Sequence, residues 1–262
     1  MTMSLVLGVV SLARERGKTS LVEHLTKQFH EEGFKVVTVK HIHHVFDTAK
    51  KDTWRHLDAG AAMTIASTPT EIVTIKRSVQ PSLEEALEVI GGKADLVLVE
   101  GYKETSTPKI LCADTFGEVQ TAMSTVSNIV MISGLITSKR REMERIRLQF
   151  PDVRMYQLDG LVSAIREMLE KAIQKGLPNL NCGRCGYTTC LDLAKMISRG
   201  EAMREDCDVL ATNPVTLIVD GRTVPIGKFP QEAVRGVVLG LVGSLKGVGE
   251  NPRNIEIMIR AS

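Results

Sequence analysis

Short apolar runs of strand length alternate with helical patterns through residues 1–175. The run Leu5–Val10 is followed by a loop and by a helix whose apolar positions recur from Leu21 to Phe29, with Gly33 placed to end it. Five more runs are rich in β-branched or aliphatic residues: Phe34–Lys40, Glu71–Ile75, Asp95–Glu100, Ile110–Ala113 and Asn128–Ser133. This alternation predicts an α/β fold, with a mostly parallel sheet and helices on both faces.

Three more helices are predicted in the same part of the chain. Ser82 and a glutamate three residues later form a capping-box start for a helix over Leu83–Ile90. Two further helical patterns, near Lys139–Phe150 and Leu161–Lys175, lie on either side of a short strand at Val153–Gln157.

Two breaks divide the chain. The first is Gly-Leu-Pro-Asn at residues 176–179, and the second is Asn213-Pro214. We therefore expect three parts: a large α/β domain over residues 1–175, a cysteine-rich domain over 176–213 and a small α/β module over 214–262.

The last part has the pattern of a hairpin, a helix and a strand. The hairpin is predicted from Thr216–Val219 and Thr223–Ile226 with a turn at Asp220-Gly221, and the strand from Ile255–Ile259. The helix contains Gly236–Gly243, the longest apolar stretch of the chain and a candidate buried helix. Its glycines share one face, which predicts close packing on the hairpin, because a membrane helix pair needs a longer segment.

Composition narrows the class of protein. The 262 residues are 43% hydrophobic and 24% charged, as in globular proteins. A formal net charge of +2 and an aromatic content of 4% count against nucleic-acid binding. No apolar run reaches the roughly 18 residues of a bilayer span, and the N-terminus lacks the order of a secretory signal. We expect a cytoplasmic protein with no nucleic-acid or membrane partner.

A phosphate-binding loop is predicted between the first strand and the first helix. Gly17-Lys18-Thr19-Ser20 lies where a Walker A loop must sit, since a helix N-terminus points unpaired N–H groups at phosphate. Lys18 is expected to contact the β/γ-phosphates and the Thr19 hydroxyl to ligate Mg²⁺, with Gly17 and Ser20 in the same binding set. The other interpretation is a chance tripeptide at a helix start.

This loop departs from the full Walker A pattern. Leu12 occupies the place of the first glycine, and Glu15 adds a negative charge that opposes phosphate unless Arg14 or Arg16 offsets it. Whether nucleotide binding and hydrolysis are retained is left open by these departures.

A carboxylate at the end of a buried strand strengthens the phosphate-site prediction. The segment Asp-Leu-Val-Leu-Val-Glu ends in Glu100, the arrangement by which phosphate-loop proteins hold Mg²⁺ or its water. No Asn-Lys-x-Asp signature for guanine follows any strand, so the residues alone do not select between GTP and ATP.

Polar residues cluster after the second predicted strand. His41, His43 and Asp47 are followed by Asp52 and Arg55. We expect contacts to substrate or Mg²⁺, with Asp47 or Asp52 near Mg²⁺ and Arg55 near phosphate. A solvated loop is the second interpretation and a transition-metal site the third.

Four of the five cysteines fall within one short segment. They are Cys182, Cys185, Cys190 and Cys207. Three close cysteines plus a distant fourth are typical of a [4Fe–4S] cluster, and a helical pattern over Leu191–Met203 brings the fourth back to the others. A zinc ribbon usually has two CxxC pairs, and this segment has only one, which counts against zinc. Free thiols are the remaining alternative. Cys112, in a predicted strand, is expected to be a buried, inert residue.

Residues 1–175 resemble the MobB family, the molybdopterin-guanine dinucleotide biosynthesis adaptor proteins. The resemblance is carried, in matching order, by GKTSLVEHL (Gly17–Leu25), VKHIHHVFD (Val39–Asp47), KDTWRHLDAGA (Lys51–Ala61), DLVLVEGYK (Asp95–Lys103) and Pro108-Lys109-Ile110. It implies a P-loop NTPase-like fold, GTP and Mg²⁺ binding, and a role beside a separate guanylyltransferase that attaches GMP to molybdopterin. By position, Lys18 and Thr19 would contact phosphate and Mg²⁺, and Glu100 would take the Walker B role. The family also implies a homodimer.

Residues 181–207 resemble the small [4Fe–4S] domain of electron-transfer and corrinoid iron–sulfur proteins. Its fusion to the MobB-like part is similar to versions seen in anaerobic prokaryotes, so we expect molybdenum or tungsten cofactor maturation in an anaerobe. Molybdopterin or a client molybdo- or tungstoenzyme is a further expected partner, and any GTP hydrolysis is expected to be slow. The alternatives are a nucleotide-switched electron carrier and a docking scaffold that no longer binds nucleotide.

Overall fold

The computed structural model describes residues 5–42, 52–91, 94–211, 215–219, 222–224, 226, 228–246 and 255–259. The chain forms two compact units, residues 2–169 and residues 170–262. No helix of the described part is both long and apolar enough to cross a lipid bilayer.

The first unit is built on a parallel sheet. Its strands are β1 (Leu5–Val10), β2 (Val36–Lys40), β3 (Met63–Ser67), β4 (Ile72–Lys76), β5 (Leu96–Glu100), β6 (Lys109–Cys112), β7 (Ile129–Ser133) and β8 (Arg154–Met155). Six of them form one sheet in the order β2-β5-β1-β6-β7-β8, in which every neighbouring pair is parallel. The strands β3 and β4 form a separate antiparallel hairpin. The carboxyl ends of the six strands therefore meet at one edge, where loops collect functional side chains.

Helices cover this sheet. They are α1 (Lys18–Glu31), α2 (Asp52–Asp58), α3 (Leu83–Ile90), α4 (Phe116–Thr125), α5 (Arg140–Gln149) and α6 (Leu158–Lys175). Leu83 of α3 packs in one cluster with Val97 and Val99 of β5. The alternating residues Leu96 and Leu98 are also fully buried, so both faces of the central strand are covered. The expected mostly parallel sheet with helices is confirmed.

Local signals located most of these elements well. The helix α1 buries the predicted apolar face, and Gly33 follows it with φ +89°. The Ser82 side chain accepts a hydrogen bond from the Glu85 backbone N–H (3.2 Å), as the capping pattern predicted for α3.

Two features of the first unit differ from the sequence prediction. The run Glu71–Ile75 was expected among the strands of the sheet, but β4 pairs instead with β3, which was not predicted. The helices α2 and α4 were also missed. For α4 a local signal exists, because Thr115 and Glu118 form a complete capping box at its start.

The second unit begins within α6 and contains short elements. These are α7 (Cys190–Ile197), a 3₁₀ turn (Arg204–Asp206), α8 (Asp208–Ala211), β9 (Leu217–Val219), β10 (Arg222–Val224) and α9 (Lys228–Gly243). The predicted hairpin is confirmed by the antiparallel pair β9–β10, and its turn lies outside the described residues. The helix predicted over Leu191–Met203 is wrong in length, since α7 ends at Ile197.

The C-terminal helix is not the buried element that its apolar stretch predicted. Val237 and Leu241 of α9 are 72% and 59% exposed. Apart from each glycine's chain neighbours and the backbone of α9 itself, none of the described residues lies within 4 Å of the position that a Cβ would take at Gly236, Gly240 or Gly243, so the predicted close packing on the hairpin is wrong. An apolar stripe predicts that a helix forms, but it does not identify what covers that helix.

The expected final strand is also not formed. Residues 255–259 take no regular secondary structure, and Met258 and Ile259 are 85% and 86% exposed. The β-branched run fits a strand locally, whereas a strand exists only when a neighbouring chain segment pairs with it.

Candidate functional site

The loop between β1 and α1 places a lysine and a threonine at the carboxyl edge of the sheet. Gly17 caps α1 with φ +73°, in the left-handed region that glycine adopts without strain. Lys18 is the first residue of the helix, and its Nζ donates to Ser11 Oγ at 2.7 Å. Ser11, just after β1, is 2% exposed, so the ammonium group is held against the sheet edge by a fixed hydroxyl.

Glu100 lies beside this loop with both carboxylate oxygens engaged. Thr19 Oγ1 donates to Glu100 Oε1 at 3.1 Å, and Lys40 Nζ lies 3.4 Å from Glu100 Oε2. The Glu100 side chain is only 14% exposed. Lys40 and Glu100 end the neighbouring parallel strands β2 and β5 at the same register position, which explains their contact.

The Thr19 and Glu100 oxygens fit a magnesium ion. Magnesium–oxygen distances of about 2.0–2.1 Å place adjacent ligands of an octahedron about 2.9 Å apart, close to the 3.1 Å observed between these two atoms. One carboxylate and one hydroxyl leave the remaining positions for waters and phosphate oxygens, the usual composition of a nucleotide-bound magnesium.

A second group of charged side chains holds the loop between β1 and α1 on the side of β1 opposite to Glu100. Arg16 Nε donates to Glu118 Oε1 at 2.7 Å, and its guanidinium lies 3.4 Å from Asp114. Burial by itself raises the pKa of Glu118, but the Asp114 backbone N–H and the Arg16 guanidinium outweigh it and hold that pKa below its usual value. The structure therefore engages Arg16 with these carboxylates, while Arg14 and Glu15 are exposed.

The other predicted nucleotide residues are less closely associated. Ser20 is exposed in the first turn of α1. Asp52 and Arg55, at the start of α2, pair with each other at 3.4 Å and are 85% and 78% exposed. Asp47 and His43 lie outside the described residues. The structure thus brings Gly17, Lys18, Thr19 and Glu100 together, and it does not bring Asp52 or Arg55 to them by any contact described.

An aromatic pair lies next to Glu100. The rings of His41 and Tyr102 stack with centroids 4.4 Å apart and an interplanar angle of 17°. Gly101, between Glu100 and Tyr102, has φ +100°, and a Cβ there would lie 2.8 Å from His41 Cβ. The glycine therefore allows β2 and β5 to continue in contact beyond Glu100.

A groove between α1 and β2 opens beside the site. Thr19, Lys40 and Glu100 form one end, and Lys27 and His30 of α1 lie further along it. The exposed ammonium of Lys40 borders this groove, so it has space to move away from Glu100.

In the second unit, the four clustered cysteines line one small pocket together with Pro178, Leu180 and Tyr187. Cys190 and Cys207 are buried, Cys185 is half-buried and Cys182 is exposed. The donor set of four thiols around one enclosed space fits an iron–sulfur cluster. No three or more His, Cys, Asp or Glu side chains are grouped around a single-ion position in the described ranges.

Local backbone chemistry brings these thiols together. Gly183 and Gly186 have φ +69° and +86°, which allows tight reversals around Cys185. Cys190 begins α7, and its backbone N–H donates to Asn181 Oδ1 at 2.9 Å. The chain then returns through the 3₁₀ turn to Cys207, as predicted, although by a shorter helix.

Burial shifts the pKa of one of the thiols. It raises the pKa of Cys207, while the backbone N–H groups of Leu210 and Val209 partly oppose the shift. N–H groups directed at a sulfur stabilise a thiolate and are the contacts by which proteins tune iron–sulfur clusters.

Sequence reasoning missed Lys40, Ser11 and the Arg16 anchor as parts of the site. The contact between Lys40 and Glu100 depends on β2 being the neighbour of β5, and local sequence patterns do not predict the order of strands in a sheet. Arg16 contacts Glu118 across 102 residues of chain, so no local signal identifies that pair.

Two protein families match this sequence. Residues 6–134 match the family described as "Molybdopterin guanine dinucleotide synthesis protein B" (MobB). Residues 177–209, which contain all four clustered cysteines, match the family described as "Putative Fe-S cluster".

Similar proteins extend these matches. A "Putative molybdopterin-guanine dinucleotide biosynthesis adapter protein" of Methanocaldococcus jannaschii is 30% identical over 260 residues, covering 98% of each chain. A molybdopterin-guanine dinucleotide biosynthesis adapter protein of Haemophilus influenzae is 34% identical over 99 residues, 36% of this chain and 56% of that one. The crystal structure of a MobB protein homolog from Bacillus stearothermophilus is 21% identical with a TM-score of 0.46, covering 63% of this chain and 98% of that one.

Proposed function

The chain belongs to the MobB family of molybdopterin-guanine dinucleotide biosynthesis adapter proteins, and on that premise we propose that it binds GTP with Mg²⁺ beside a guanylyltransferase. Lys18 contacts the β/γ-phosphates, Thr19 and Glu100 hold Mg²⁺, and Gly17 and Ser20 complete the helix N-terminus that faces the phosphates. Asp47, Asp52 and Arg55 belong to the proposed set, with Asp47 or Asp52 near Mg²⁺ and Arg55 near phosphate.

One observation carries the nucleotide proposal. The Thr19 hydroxyl and the Glu100 carboxylate, 81 residues apart in the chain, meet at 3.1 Å beside the lysine that starts α1. A strand-end carboxylate, a helix-start hydroxyl and a helix-start lysine are the three groups that phosphate-loop proteins direct at a magnesium nucleotide. Mg²⁺ would neutralise phosphate charge there, and any hydrolysis is slow, at most a weak GTPase activity.

Calorimetric titration of the anaerobic full chain with Mg-GTP and Mg-ATP tests this proposal. Lys18→Ala removes charge-assisted contacts of about 1.5–3 kcal/mol, which is roughly a ten- to hundredfold loss of GTP affinity. Lys27→Ala is the matched control, because Lys27 lies on the same helix and is 77% exposed. If neither nucleotide binds, or if both variants bind alike, the proposal fails and a docking scaffold without nucleotide is the better description.

We further propose that the iron–sulfur segment holds a [4Fe–4S] cluster through Cys182, Cys185, Cys190 and Cys207. The shared pocket and the four-thiol donor set support this ligand assignment. The cluster would supply one-electron chemistry or structural cross-linking. Cys185→Ser should remove the brown chromophore and most iron and sulfide from anaerobically prepared protein, whereas Cys112→Ser should retain both. Unchanged iron and sulfide in Cys185→Ser would refute the assignment.

Membership of the family supports a proposal for the biological setting. We propose that the protein acts in the cytoplasm as a homodimer, with domains over residues 1–175, 176–213 and 214–262. It assists guanylyl transfer to molybdopterin for molybdo- or tungstoenzymes of an anaerobe. Deletion of its gene should lower the dinucleotide cofactor content of those enzymes; an unchanged content would exclude this role.

A further inference from the structure

Lys40 lies beside Glu100, although a magnesium nucleotide site does not require a lysine at that position. A strand-end carboxylate that holds Mg²⁺ needs no cation of its own, yet Lys40 Nζ lies 3.4 Å from Glu100 Oε2. The other carboxylate oxygen accepts the Thr19 hydroxyl. Both carboxylate oxygens of Glu100 are therefore engaged within the protein, one by the hydroxyl that would share a metal ion with it and the other by a competing cation.

We propose that Lys40 is an internal counter-ion that makes metal binding at Glu100 dependent on nucleotide. The inference rests on the proposed Mg-GTP site and names a regulatory residue of it. A divalent cation arriving alone meets a positive charge already beside the carboxylate, and the two repel each other. A nucleotide triphosphate brings the negative charge that draws the ammonium away and lets the metal take its place.

The geometry of Lys40 suits this exchange. Its side chain is 56% exposed, whereas that of Glu100 is 14% exposed, so the lysine moves while the carboxylate stays. The groove between α1 and β2, which continues from Glu100 along α1 to Lys27 and His30, gives the ammonium room to move away from the carboxylate.

Lys27 provides a matched control for a general charge effect. It lines the same groove, is 77% exposed and pairs with Glu31 at 3.9 Å rather than with Glu100. Replacing Lys27 by Met removes one positive charge from the groove, as Lys40→Met does, but leaves the ion pair between Lys40 and Glu100 intact.

The test is Mn²⁺ binding to the full chain without nucleotide, measured by the loss of the free-ion EPR signal. Mn²⁺ prefers the same octahedral oxygen ligands as Mg²⁺. Because the repulsion from one nearby unit charge is removed, we expect Lys40→Met to bind one Mn²⁺ about five- to tenfold more tightly than wild type. Lys40→Arg and Lys27→Met should match wild type. In the double variant Lys40→Met/Glu100→Gln the gain should vanish, which assigns the ion to Glu100.

Two outcomes overturn the inference. One is an unchanged Mn²⁺ affinity in Lys40→Met, and the other is an equal gain in Lys27→Met, which indicates a general charge effect. The failure of the proposed function remains distinguishable. If no GTP binds but Lys40→Met gains Mn²⁺ affinity through Glu100, the counter-ion role of Lys40 is supported and the proposed nucleotide binding is refuted. If GTP binds through Lys18 but Lys40→Met leaves Mn²⁺ affinity unchanged, nucleotide binding is supported and the counter-ion role is refuted.

Discussion

Gly101 should be among the glycines of the first unit least tolerant of alanine, because two separate costs coincide there. Its φ of +100° is rarely adopted by residues with a Cβ, and an added Cβ would lie 2.8 Å from His41 Cβ. Gly33 provides the matched control, since its φ is +89° and nothing lies within 4 Å of the added atom. Gly33→Ala therefore measures backbone strain alone, and Gly101→Ala measures strain plus the contact with His41.

The two costs have different expected sizes. Strain at a left-handed position is about 1–3 kcal/mol and applies to both variants. Overpacking against a neighbouring strand adds about 1–3 kcal/mol, and His41 Cβ is attached directly to the backbone, so it cannot rotate away. The difference between the variants is then about 1–3 kcal/mol, which corresponds to roughly 2–10 °C in Tm for a unit of this size.

Thermal unfolding followed by circular dichroism measures both variants under the same buffer and scan rate. The expected order of Tm is wild type, Gly33→Ala and then Gly101→Ala. Equal losses in the two variants would refute the contact between His41 and Gly101. Adding His41→Ala to Gly101→Ala does not relieve the contact, because the Cβ remains, whereas His41→Gly should recover the part of the loss due to overpacking.

Three further predictions follow from other parts of the first unit. Because the folded pKa of Glu118 is lowered, its carboxylate stabilises the fold above its unfolded pKa of about 4.3, and this stability is lost as pH falls through the folded pKa. In Arg16→Gln, the free energy of unfolding should therefore fall less between pH 5 and 3 than it does in wild type. An identical pH dependence in the two proteins would contradict this. Burial raises the pKa of Cys112 to about 12, so iodoacetamide at pH 8.5 should alkylate this thiol about a thousandfold more slowly in native than in unfolded protein; peptide mass spectrometry reads the rate, and comparable rates would refute the burial. Thr115→Ala removes the hydroxyl that caps α4 and should cost about 1 kcal/mol in denaturant unfolding, whereas Thr125→Ala, exposed at the end of the same helix, should cost less; an equal loss would refute the cap.

The central strands could be predicted from sequence because burial on both faces leaves a continuous apolar run. Leu5–Val10 and Leu96–Glu100 were located almost to the residue for this reason. The run Glu71–Ile75 looked similar, yet Ile72 of β4 is 75% exposed, since the hairpin lies outside the sheet. A strand's apolar content does not state which sheet it joins, and that information depends on long-range pairing.

The candidate site divides in the same way. Lys18, Thr19 and Glu100 were predictable because each lies at the end of a strongly patterned element, and the carboxyl ends of parallel strands meet at one edge. Lys40 also lies at such an end, but its role depends on the neighbour relation between β2 and β5. The cysteines could be predicted from spacing, whereas their unequal exposure, from Cys182 outside to Cys207 inside, required the fold.

The glycine-poor loop is compatible with phosphate binding once its torsions are considered. Positive φ values fall at Glu15 (+59°) and Gly17 (+73°), whereas Leu12 has an ordinary φ and packs against the core cluster beneath α4. The missing first glycine is therefore not needed for the path of this backbone. Arg16 ties the loop to Asp114 and Glu118, and Lys18 ties the start of α1 to Ser11 at the end of β1, so side-chain contacts hold the two ends of the loop together. If the proposed nucleotide binds here, a loop already held by these contacts needs less ordering on binding, and less of the binding free energy is spent on it.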